Sequence, residues 1–527
     1  MSRLPHELPP GVAAAIAAHR FGLGEPRLDA IGGDAIGWLH AQIGPAEPQR
    51  GTNLVTGAEG LKRFAQFLRD QRSRGGVVQR RPAEMAGGTP GAGEAAMGPA
   101  RAIGPVGPMG QAANATTGTT AQPADTRSAE QQFGEHFRSI VQADVRARLA
   151  TAATTARPFT ERLAWFWCNH FTVSMAKASA RGIVGAFERE AIRPHIGGSF
   201  ESLLKAATRH AGMLRYLDND QSAGPQSAVV RRLARRRAGG DDSAPRLTGL
   251  NENLAREVLE LHTLGVAQGG RTYGGWGGYT QADVTEFARV LTGWRVPLRE
   301  MLAAGSATEP TRFEPGWHDP GPKTVLGMRY REGPGALEEV LGDLARHPST
   351  ARFVSYKLAR HFVADEPPAA LVAALAAAFS RSDGDLPTLY RTLIESPLAW
   401  QPTPAKLKTP EEFVVGSARL LALGEQAFER NPDGGIAALG QRVQAAPSPA
   451  GWPDRAEEWL GPDAVWKRVE WATRVASRLG RQVDARAVAR ASLGPWLTEE
   501  TARQIERAAD GPQALALLLL APEFQRR

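Results

Sequence analysis

Cysteine is almost absent from this 527-residue sequence, which contains only Cys168. A single cysteine excludes a disulfide within the chain and a metal site built from several thiolates. The sequence also has no G-x-x-x-x-G-K-[ST], G-x-S-x-G or H-E-x-x-H motif, so the commonest patterns of nucleotide-binding proteins, serine hydrolases and zinc proteases are missing. The function must therefore be sought in patterns that are less widely shared.

Long apolar runs and targeting signals are missing too. No run approaches the roughly 20 residues that a membrane-spanning helix needs. The N-terminal residues lack the basic start and the leucine-rich segment of a secretory signal. We therefore expect a cytoplasmic protein without a membrane span. With 42% hydrophobic residues, the chain has enough apolar content to bury a substantial core.

Aromatic residues are absent from one long segment. No phenylalanine, tryptophan or tyrosine occurs between Arg69 and Gln132, where glycine, alanine, proline and threonine are abundant. Such a composition buries too little apolar surface to offset the entropy lost on ordering. We predict an N-terminal helical segment, 1–71, that packs on the main body, a flexible insertion, 72–130, and a main helical domain, 131–527.

Helical periodicity dominates the rest of the chain. From Phe133 to Leu217 apolar residues recur at helical spacing, and Thr280 precedes Asp283 at the spacing of a capping box. Prolines and glycines interrupt the pattern between 311 and 330, where two short β-prone runs predict a small hairpin. We predict a mainly α fold, which is a large multi-helical domain with a small β-hairpin insertion and a disordered Gly/Pro/Ala-rich loop.

Positive charge is concentrated in one place. The formal net charge is +8, and the stretch VVRRLARRRAGGDD, 229–242, is rich in arginine. No aromatic residue is interleaved with the arginines to stack on bases, and Asp241 and Asp242 offset part of the charge. We predict an exposed Arg-rich loop, 222–248, that does not read nucleic acid specifically.

The stretch NENLAREVLELHTLGV, 251–266, combines charge and leucine in an unusual way. At about 100 degrees per residue, a helix here has a polar side that spans about 60 degrees and a separate apolar stripe. The polar side is Asn253, Glu257 and Glu260, and the apolar stripe is Leu254, Val258 and Leu261. Because both faces are specialised, we predict a central helix whose acidic face turns toward a polar pocket.

Two hypotheses fit such a helix. In the first, it is the centre of an enzyme with acid–base or divalent-metal chemistry, because buried carboxylates and imidazoles are costly unless they are paired or used. In the second, the same charges form buried ion-pair networks in a non-catalytic helical scaffold, with Lys357 and Arg360 as partners of the glutamates. The substrate and the reaction cannot be read from the sequence.

Both hypotheses depend on the same few side chains. The candidate catalytic residues are Glu257, Glu260, His262, His170 and Arg256. The candidate ligands of a divalent metal ion, the one cofactor indicated, are Glu257, Glu260, His318 and Asp319. His170 lies on an apolar helix face, where a structural core histidine is the common alternative. His318 and Asp319 lie beside proline and glycine, where starting a turn is an equal alternative.

Nine motifs follow one another along the chain. They are HRFGLG at 19, ERLAWFWCNHFTVS at 161, MLRYLDNDQSAGP at 213, NENLAREVLELHTLGV at 251, GGYTQADVTEFARVLTGW at 277, HDPGPKTVLG at 318, HPSTARFVSYKLARHFV at 347, LKTPEEFVVGSARLL at 407 and SPAGWPD at 448. Together they resemble the bacterial family DUF1800, a domain of unknown function. The resemblance covers nearly the whole chain apart from the predicted insertion and the Arg-rich loop.

The resemblance implies no particular chemistry, because the activity of the family is unassigned. Genes of the family often neighbour those of a second uncharacterised family that resembles alkaline phosphatases and sulfatases. This neighbourhood implies a phosphatase- or sulfatase-like protein as a partner. Many members look secreted, whereas this sequence shows no signal, so the resemblance and the expected cytoplasmic location differ.

Overall fold

The computed structural model describes residues 8–73, 128–241, 243, 247, 249–265, 267–268, 271–272, 278–302 and 309–527. The chain divides into two compact units, one formed by Met1–Gln66 with Phe137–Arg527 and the other by Phe67–His136. All the candidate site residues belong to the first unit.

Helices build most of the described structure. The first eleven are α1 (Pro10–Ala15), α2 (Ala35–His40), α3 (Gly57–Ser73), α4 (Ala129–Thr154), α5 (Pro158–His170), α6 (Val184–Phe187), α7 (Phe200–Arg209), α8 (Ala211–Tyr216), α9 (Ala228–Ala238), α10 (Asn253–Glu257) and α11 (Gln281–Leu291). The next ten are α12 (Gly335–Arg346), α13 (Pro348–Phe362), α14 (Ala369–Arg381), α15 (Leu386–Glu395), α16 (Pro410–Leu420), α17 (Pro462–Leu479), α18 (Ala485–Leu493), α19 (Glu499–Glu506), α20 (Gly511–Leu520) and α21 (Pro522–Gln525).

Tighter and wider turns complete the helical structure. Helices α1, α6 and α10 continue into π-helical turns at Ile16–Phe21, Glu188–Ile192 and Val258–Thr263. Short 3₁₀ helices lie at Leu28–Ile31, Ala178–Ala180, Asn219–Gln221, Glu300–Leu302, Pro315–Trp317, Pro397–Ala399, Gly424–Phe428, Ile436–Leu439, Ala456–Trp459 and Gly494–Trp496. Turns of the π type are rare and frequently lie at functional sites, and the turn Val258–Thr263 lies within the stretch predicted to form the site.

Strands are few and short in the described ranges. They are β1 (Ala267–Gln268), β2 (Arg271–Thr272), β3 (Trp294–Arg295), β4 (Arg312–Phe313), β5 (Lys323–Val325) and β6 (Met328–Tyr330), paired antiparallel in chain order as β1–β2, β3–β4 and β5–β6. The last pair is the predicted hairpin, and Leu326 and Gly327 at its turn both have positive φ, as a tight two-residue turn requires. The prediction of a mainly α fold with a hairpin insertion is confirmed.

Two helices pass through the middle of the core. Every residue of α16 is buried, and in α5 only Cys168 and Asn169 are not fully buried. Aromatic contacts surround α5, where the indole N–H of Trp167 donates to the hydroxyl of Tyr390 (2.7 Å). A helix that is buried on all sides exposes no face for its charged residues. The glutamates and arginines of α5 and α16 must therefore find partners inside the protein.

Helix α11 forms as its sequence predicts. Thr280 and Asp283 make the predicted capping box, in which each side chain bonds the backbone N–H of the other residue. Val284, Phe287 and Leu291 are fully buried at helical spacing. The capping-box prediction is confirmed.

The predicted Arg-rich loop, 222–248, is wrong in its conformation. Its middle forms α9, in which Ser227 caps the first turn and Gly239 follows the last residue. Alanine and arginine are strong helix formers, and this preference outweighs the repulsion between the arginines, which are spread around the helix. No residue of α9 is buried, and Arg236 pairs with Asp241 (2.5 Å), so the arginines are solvated as predicted. Residue 242 lies outside the described residues.

The predicted flexible insertion, 72–130, lies mostly outside the described residues, which omit 74–127. At its two ends the chain is helical, because α3 extends to Ser73 and α4 begins at Ala129.

Before α3, the N-terminal chain packs on distant helices, and the guanidinium of Arg20 donates to the carbonyl of Ala399 (2.8 Å). Within the described ranges, no helix is long and apolar enough to cross a bilayer.

Candidate functional site

The helix predicted as central changes its winding midway. After α10, the turn Val258–Thr263 has π geometry, and the N–H of Leu264 donates to the carbonyl of Leu259 (2.8 Å), five residues back. A π turn contains more residues than an α turn, so the spacing of 100 degrees fails here. Leu259 and His262 are consequently buried, while Leu261, which was predicted in the apolar stripe, is only half-buried.

Glu257 has the least compensated carboxyl group of the predicted site. It is half-buried and has no hydrogen-bond or ion-pair partner among the described residues. Burial, together with the negative charge of Glu260, raises the pKa of Glu257 to about 7. The positive charge of Arg256 offsets this only in part, and its guanidinium contacts Glu252 (3.5 Å) and Gln281 (3.1 Å). Glu257 can therefore gain and lose a proton near neutral pH.

Two tyrosines border the glutamates. The hydroxyl of Tyr279 donates to Oε2 of Glu260 (3.2 Å). Burial and the charge of Glu257 raise the pKa of Tyr216 to about 12. Asn253, which was predicted on the same inward face, is exposed at the start of α10. The polar face is therefore a carboxylate pair, Glu257 and Glu260, beside two phenol rings.

His170 and His262 lie together in the core. Each is 1% exposed, and Nε2 of His170 donates to the carbonyl of His262 (3.0 Å). Burial and the charge of Lys357 lower the pKa of His262 to about 3 and hold the pKa of His170 well below its ordinary value. The ring of Phe171 packs against both imidazoles. This placement matches the core-histidine alternative for His170 and makes His262 a second core histidine.

His318 and Asp319 connect the β-hairpin to neighbouring segments. Nδ1 of His318 lies 2.7 Å from the carbonyl of Thr292, and Nε2 lies 3.0 Å from the ammonium of Lys323. Since an ammonium only donates, Nε2 accepts and Nδ1 carries the proton. The carboxylate of Asp319 accepts from Arg289 (2.7 Å) and from the N–H of Gln226 (2.9 Å). Both side chains are thus fully used in structural hydrogen bonds.

The predicted site residues therefore separate into three places. Glu257, Glu260 and Arg256 stay together, the two core histidines form a second group, and the His318–Asp319 pair forms a third. In the part of the chain that the structure describes, no three histidine, cysteine, aspartate or glutamate side chains form a group that could hold a metal ion. The predicted partners Lys357 and Arg360 also point elsewhere, since Lys357 lies over Phe353 and Arg360 pairs with Asp454 (3.0 Å).

A buried ion-pair network occupies another part of the core. Arg148 bonds Glu188 (2.6 Å) and Glu411 (2.7 Å), and Arg193 bonds Glu188 (3.2 Å) and Glu161 (2.6 Å). Burial alone would raise the pKa of Glu188, but its two arginines outweigh burial and lower it. Glu411 shares its one arginine with Glu188, so burial prevails and its pKa is raised. Glu411 is the weakly compensated member of the network.

A second branch is centred on Glu412, the neighbour of Glu411 on α16. Its carboxylate bonds Arg162 (2.7 Å) and Arg527 (2.8 Å), and every one of these side chains is at most 6% exposed. Lys408 is buried beside this branch without a hydrogen-bond partner among the described residues, and burial lowers its pKa to about 7. The two branches place most of the charge of α5 and α16 in one internal network.

A cleft of about 90 Å³ opens onto this network, and we name it the ion-pair cleft. It is lined by Arg148, Trp165, Cys168, Asn169, Thr172, Val173, Val184, Phe187, Glu188, His361, Thr409, Glu411, Glu412, Gln441, Gln444, Ala446, Trp452, Pro453, Asp454 and Arg527. Burial raises the pKa of the Cys168 thiol well above its ordinary value, so the thiol stays protonated and is a poor nucleophile.

A protein-family model matches almost the whole chain. A family model described as "Protein of unknown function (DUF1800)" matches residues 16–526. The chain belongs to the DUF1800 family. No curated protein and no solved structure matches it.

In this DUF1800 protein, four of the nine motifs meet at the ion-pair cleft. ERLAWFWCNHFTVS supplies Trp165 and Cys168, HPSTARFVSYKLARHFV supplies His361, LKTPEEFVVGSARLL supplies Glu411, and SPAGWPD supplies Trp452. The family resemblance of the sequence is therefore carried in part by residues that line one cavity.

Sequence reasoning missed the ion-pair network of the DUF1800 protein. One signal was present, because Glu411 and Glu412 stand directly before the apolar run FVV, and the structure buries every residue of this helix. Nothing in the sequence around their arginine partners, Arg148 and Arg162, indicates the pairing. Arg148 and Glu411 are 263 positions apart, so only the folded chain brings them together.

Proposed function

We propose that this DUF1800 protein is an enzyme in which Glu257 transfers protons and Glu260 adjusts its acidity. The observation that carries the proposal is the geometry of the pair. Two half-buried carboxyl groups lie close together, and neither has an ion-pair partner among the described residues. The carboxylates of Glu188 and Glu412 in the core are paired with arginine, whereas those of Glu257 and Glu260 are not, and unpaired, partly buried acidic groups are typical of functional sites.

The chemistry follows from the environment of each carboxyl group. Because burial and Glu260 raise the pKa of Glu257 to about 7, Glu257 is present in both protonation states at neutral pH. A general acid–base group is most effective when its pKa is near the working pH. Glu260 accepts the hydrogen bond of Tyr279, which fixes its position beside Glu257. Arg256 at the edge of the pair is available to orient an anionic part of a substrate.

The test of the proposal begins with the protonation of Glu257 itself. In protein labelled with ¹³C at the glutamate carboxyl, the resonance missing from Glu257→Gln identifies this residue. We expect it to titrate near pH 7 and not near the ordinary value of 4.5. Titration near the ordinary value contradicts the proposal. If Mg²⁺, Ca²⁺ or Mn²⁺ lowers the midpoint below the ordinary value, the pair is a metal site and acid–base catalysis by Glu257 is wrong.

The second arm of the test is activity in a broad screen of hydrolase and oxidoreductase substrates. An activity of the parent protein should depend on a group with a pKa near 7 and fall by about 10²- to 10⁴-fold in Glu257→Gln. Glu252→Gln is the matched control, since Glu252 precedes the same helix but is paired with Arg256 and Gln281. An activity that survives in Glu257→Gln as well as in the control would show that the carboxyl is not catalytic.

Glu257→Gln should also make the protein more stable at high pH. Because folding raises the pKa of Glu257 from 4.5 to about 7, the folded state binds more protons between these values, and the stability of the parent falls as the pH rises through this window. We expect the variant to gain at most about 3 kcal/mol in free energy of unfolding at about pH 8, and nothing below about pH 4.5. Urea unfolding at several pH values measures this, and a loss of stability at high pH would contradict it.

Association with a phosphatase- or sulfatase-like protein is implied by the family resemblance alone and stays a prediction. Helix α9 carries five arginines and none of its residues is buried, so an acidic surface of the partner could bind there. Specific nucleic-acid recognition by this helix is still not expected, because no aromatic side chain lies among the arginines.

A further inference from the structure

Lys357 differs from the other lysines of this chain in its surroundings. The sequence contains eight lysines, and the structure describes all of them. Five have a hydrogen-bond or ion-pair partner within the protein, namely Lys177, Lys205, Lys323, Lys406 and Lys467. Lys62 is exposed, and the nitrogen of Lys408 is fully enclosed without a partner among the described residues. Lys357 alone is half-buried, keeps part of its nitrogen surface open and has no hydrogen-bond or ion-pair partner in the described ranges.

The groups around Lys357 compensate its positive charge poorly. The nitrogen lies 5.5 Å from the centre of the Phe353 ring, one turn earlier on α13. The carboxylate of Asp454 attracts the charge, but it is already paired with Arg360 (3.0 Å). Arg360 itself is three residues from Lys357 on the same helix, where side chains are neighbours. An ammonium in this position is held against an aromatic ring and a second cation.

These surroundings favour the neutral form of the amine. Burial lowers the pKa of Lys357 to about 8, and Asp454 and Arg360 act on it in opposite directions. The nearby imidazoles of His170 and His262 add no charge at neutral pH, because burial lowers their pKa values as well. At pH 7 about one Lys357 side chain in ten is therefore a neutral amine, against fewer than about one in a thousand for an ordinary lysine.

A neutral and accessible amine is a nucleophile for carbonyl carbons. Lysines gain this reactivity in apolar surroundings or next to another cation, and Lys357 meets both conditions through Phe353 and Arg360. The partnered lysines have their nitrogen engaged by the protein, and the enclosed nitrogen of Lys408 cannot be reached. A lysine that only stabilised the fold would need an acceptor for its ammonium, and Lys357 has none among the described residues.

We propose that Lys357 is a covalent binding site for a carbonyl compound, an aldehyde or a ketone. The lone pair of Nζ attacks the carbonyl carbon, a C–N bond forms, and one proton passes from the nitrogen to the oxygen to give a carbinolamine. The carbinolamine then loses its hydroxyl group and the remaining nitrogen proton as water, which leaves a C=N bond. No oxidant or reductant is consumed. This site is independent of the acid–base role proposed for Glu257, and either can fail without the other.

The experiment uses the full chain with acetaldehyde as the probe. Sodium cyanoborohydride reduces the imine to a stable secondary amine, and peptide mass spectrometry measures the rate of its formation at each of the eight lysines. The exposed Lys62 is the reference within the same sample. We expect Lys357 to react at least about 10-fold faster than Lys62 at pH 7. This advantage should disappear above about pH 10, where an ordinary lysine also loses its proton.

Two variants on α13 test whether the surroundings cause the reactivity. Arg360→Gln removes the neighbouring cation and frees Asp454 to attract the ammonium, so the rate at Lys357 at pH 7 should fall by about 3- to 10-fold. The midpoint of the pH profile should rise in this variant. Arg352→Gln is the matched control, since Arg352 is an exposed arginine on the same helix, and its rate should equal that of the parent.

Each outcome decides for or against the proposal. Thermal unfolding shows whether each variant is folded, and the parent protein alone decides if Arg360→Gln is not. A rate at Lys357 no higher than that at Lys62 at pH 7 would overturn the proposal. So would a folded Arg360→Gln protein whose Lys357 reacts as fast as in Arg352→Gln.

Discussion

Replacing Arg148 with methionine will lower the free energy of unfolding by about 3 to 5 kcal/mol at neutral pH. The guanidinium bonds Glu188 and Glu411, and all three side chains are at most 9% exposed. Methionine fills similar space but carries no charge. Glu188 then keeps Arg193, whereas Glu411 keeps no cationic partner among the described residues. Urea unfolding at pH 7, followed by circular dichroism and tryptophan fluorescence, measures the loss.

Two further variants separate charge from packing. Arg146→Met changes the same residue type on the same helix, but Arg146 is exposed, so its effect should stay within about 0.5 kcal/mol. Adding Glu411→Gln to Arg148→Met should restore part of the stability, because the amide no longer carries an uncompensated buried charge. An Arg148→Met protein as stable as the Arg146→Met control would show that the network does not hold the core together.

Glu412→Gln is also expected to lower the free energy of unfolding by about 3 to 5 kcal/mol. Here the charges left without a partner are positive, whereas in Arg148→Met the charge is negative. The change leaves Arg162 and Arg527 without their carboxylate, and each of these side chains is only 1% exposed. Glutamine retains the capping box with Thr409, because an amide oxygen also accepts from the N-cap N–H. The loss therefore reports the buried charges and not the helix cap.

The deficit of Glu412→Gln should depend on pH in a defined direction. Burial alone would raise the pKa of Glu412, but Arg527 and Arg162 outweigh burial and hold it well below the ordinary 4.5. Its contribution is complete above about pH 4.5 and is lost as the pH falls toward the folded-state pKa, so the difference between variant and parent should shrink only in acid. Glu59→Gln is the control, since Glu59 occupies the same capping-box position on α3 but is exposed. A deficit that is no larger than that of the control would contradict the prediction.

The parts of the fold that follow local rules could be predicted. The capping box of Thr280 and Asp283 and the hairpin of β5 and β6 depend on residues close in sequence, and both form as predicted. The charge of 229–242 predicts a loop, but the helix preference of alanine and arginine prevails there and the segment forms α9. Helical spacing in 251–266 predicts that Leu254, Val258 and Leu261 are buried. Leu254 and Val258 are buried, but Leu261 is not, because the π turn that begins at Val258 changes the spacing.

For the candidate site too, the local features could be predicted and the long-range contacts could not. The acidic pair could be found in the sequence because Glu257 and Glu260 are three residues apart on one helix. That His170 and His262 meet in an apolar core, and that His318 and Asp319 are consumed by structural hydrogen bonds, depends on segments far apart in the chain. The cytoplasmic location and the phosphatase- or sulfatase-like partner stay predictions.

By itself, the sequence determined the mainly helical class, the family and the acidic pair on one helix, because periodicity, motif order and i,i+3 spacing are local properties of the chain. Only the tertiary structure decided which charges are buried together. Glu411 could pair with any arginine as far as the sequence shows, and the packing of α4, α5 and α16 selects Arg148. The physical reason is that the energy of a charge in the core depends on distances between residues hundreds of positions apart, and only the folded backbone sets those distances.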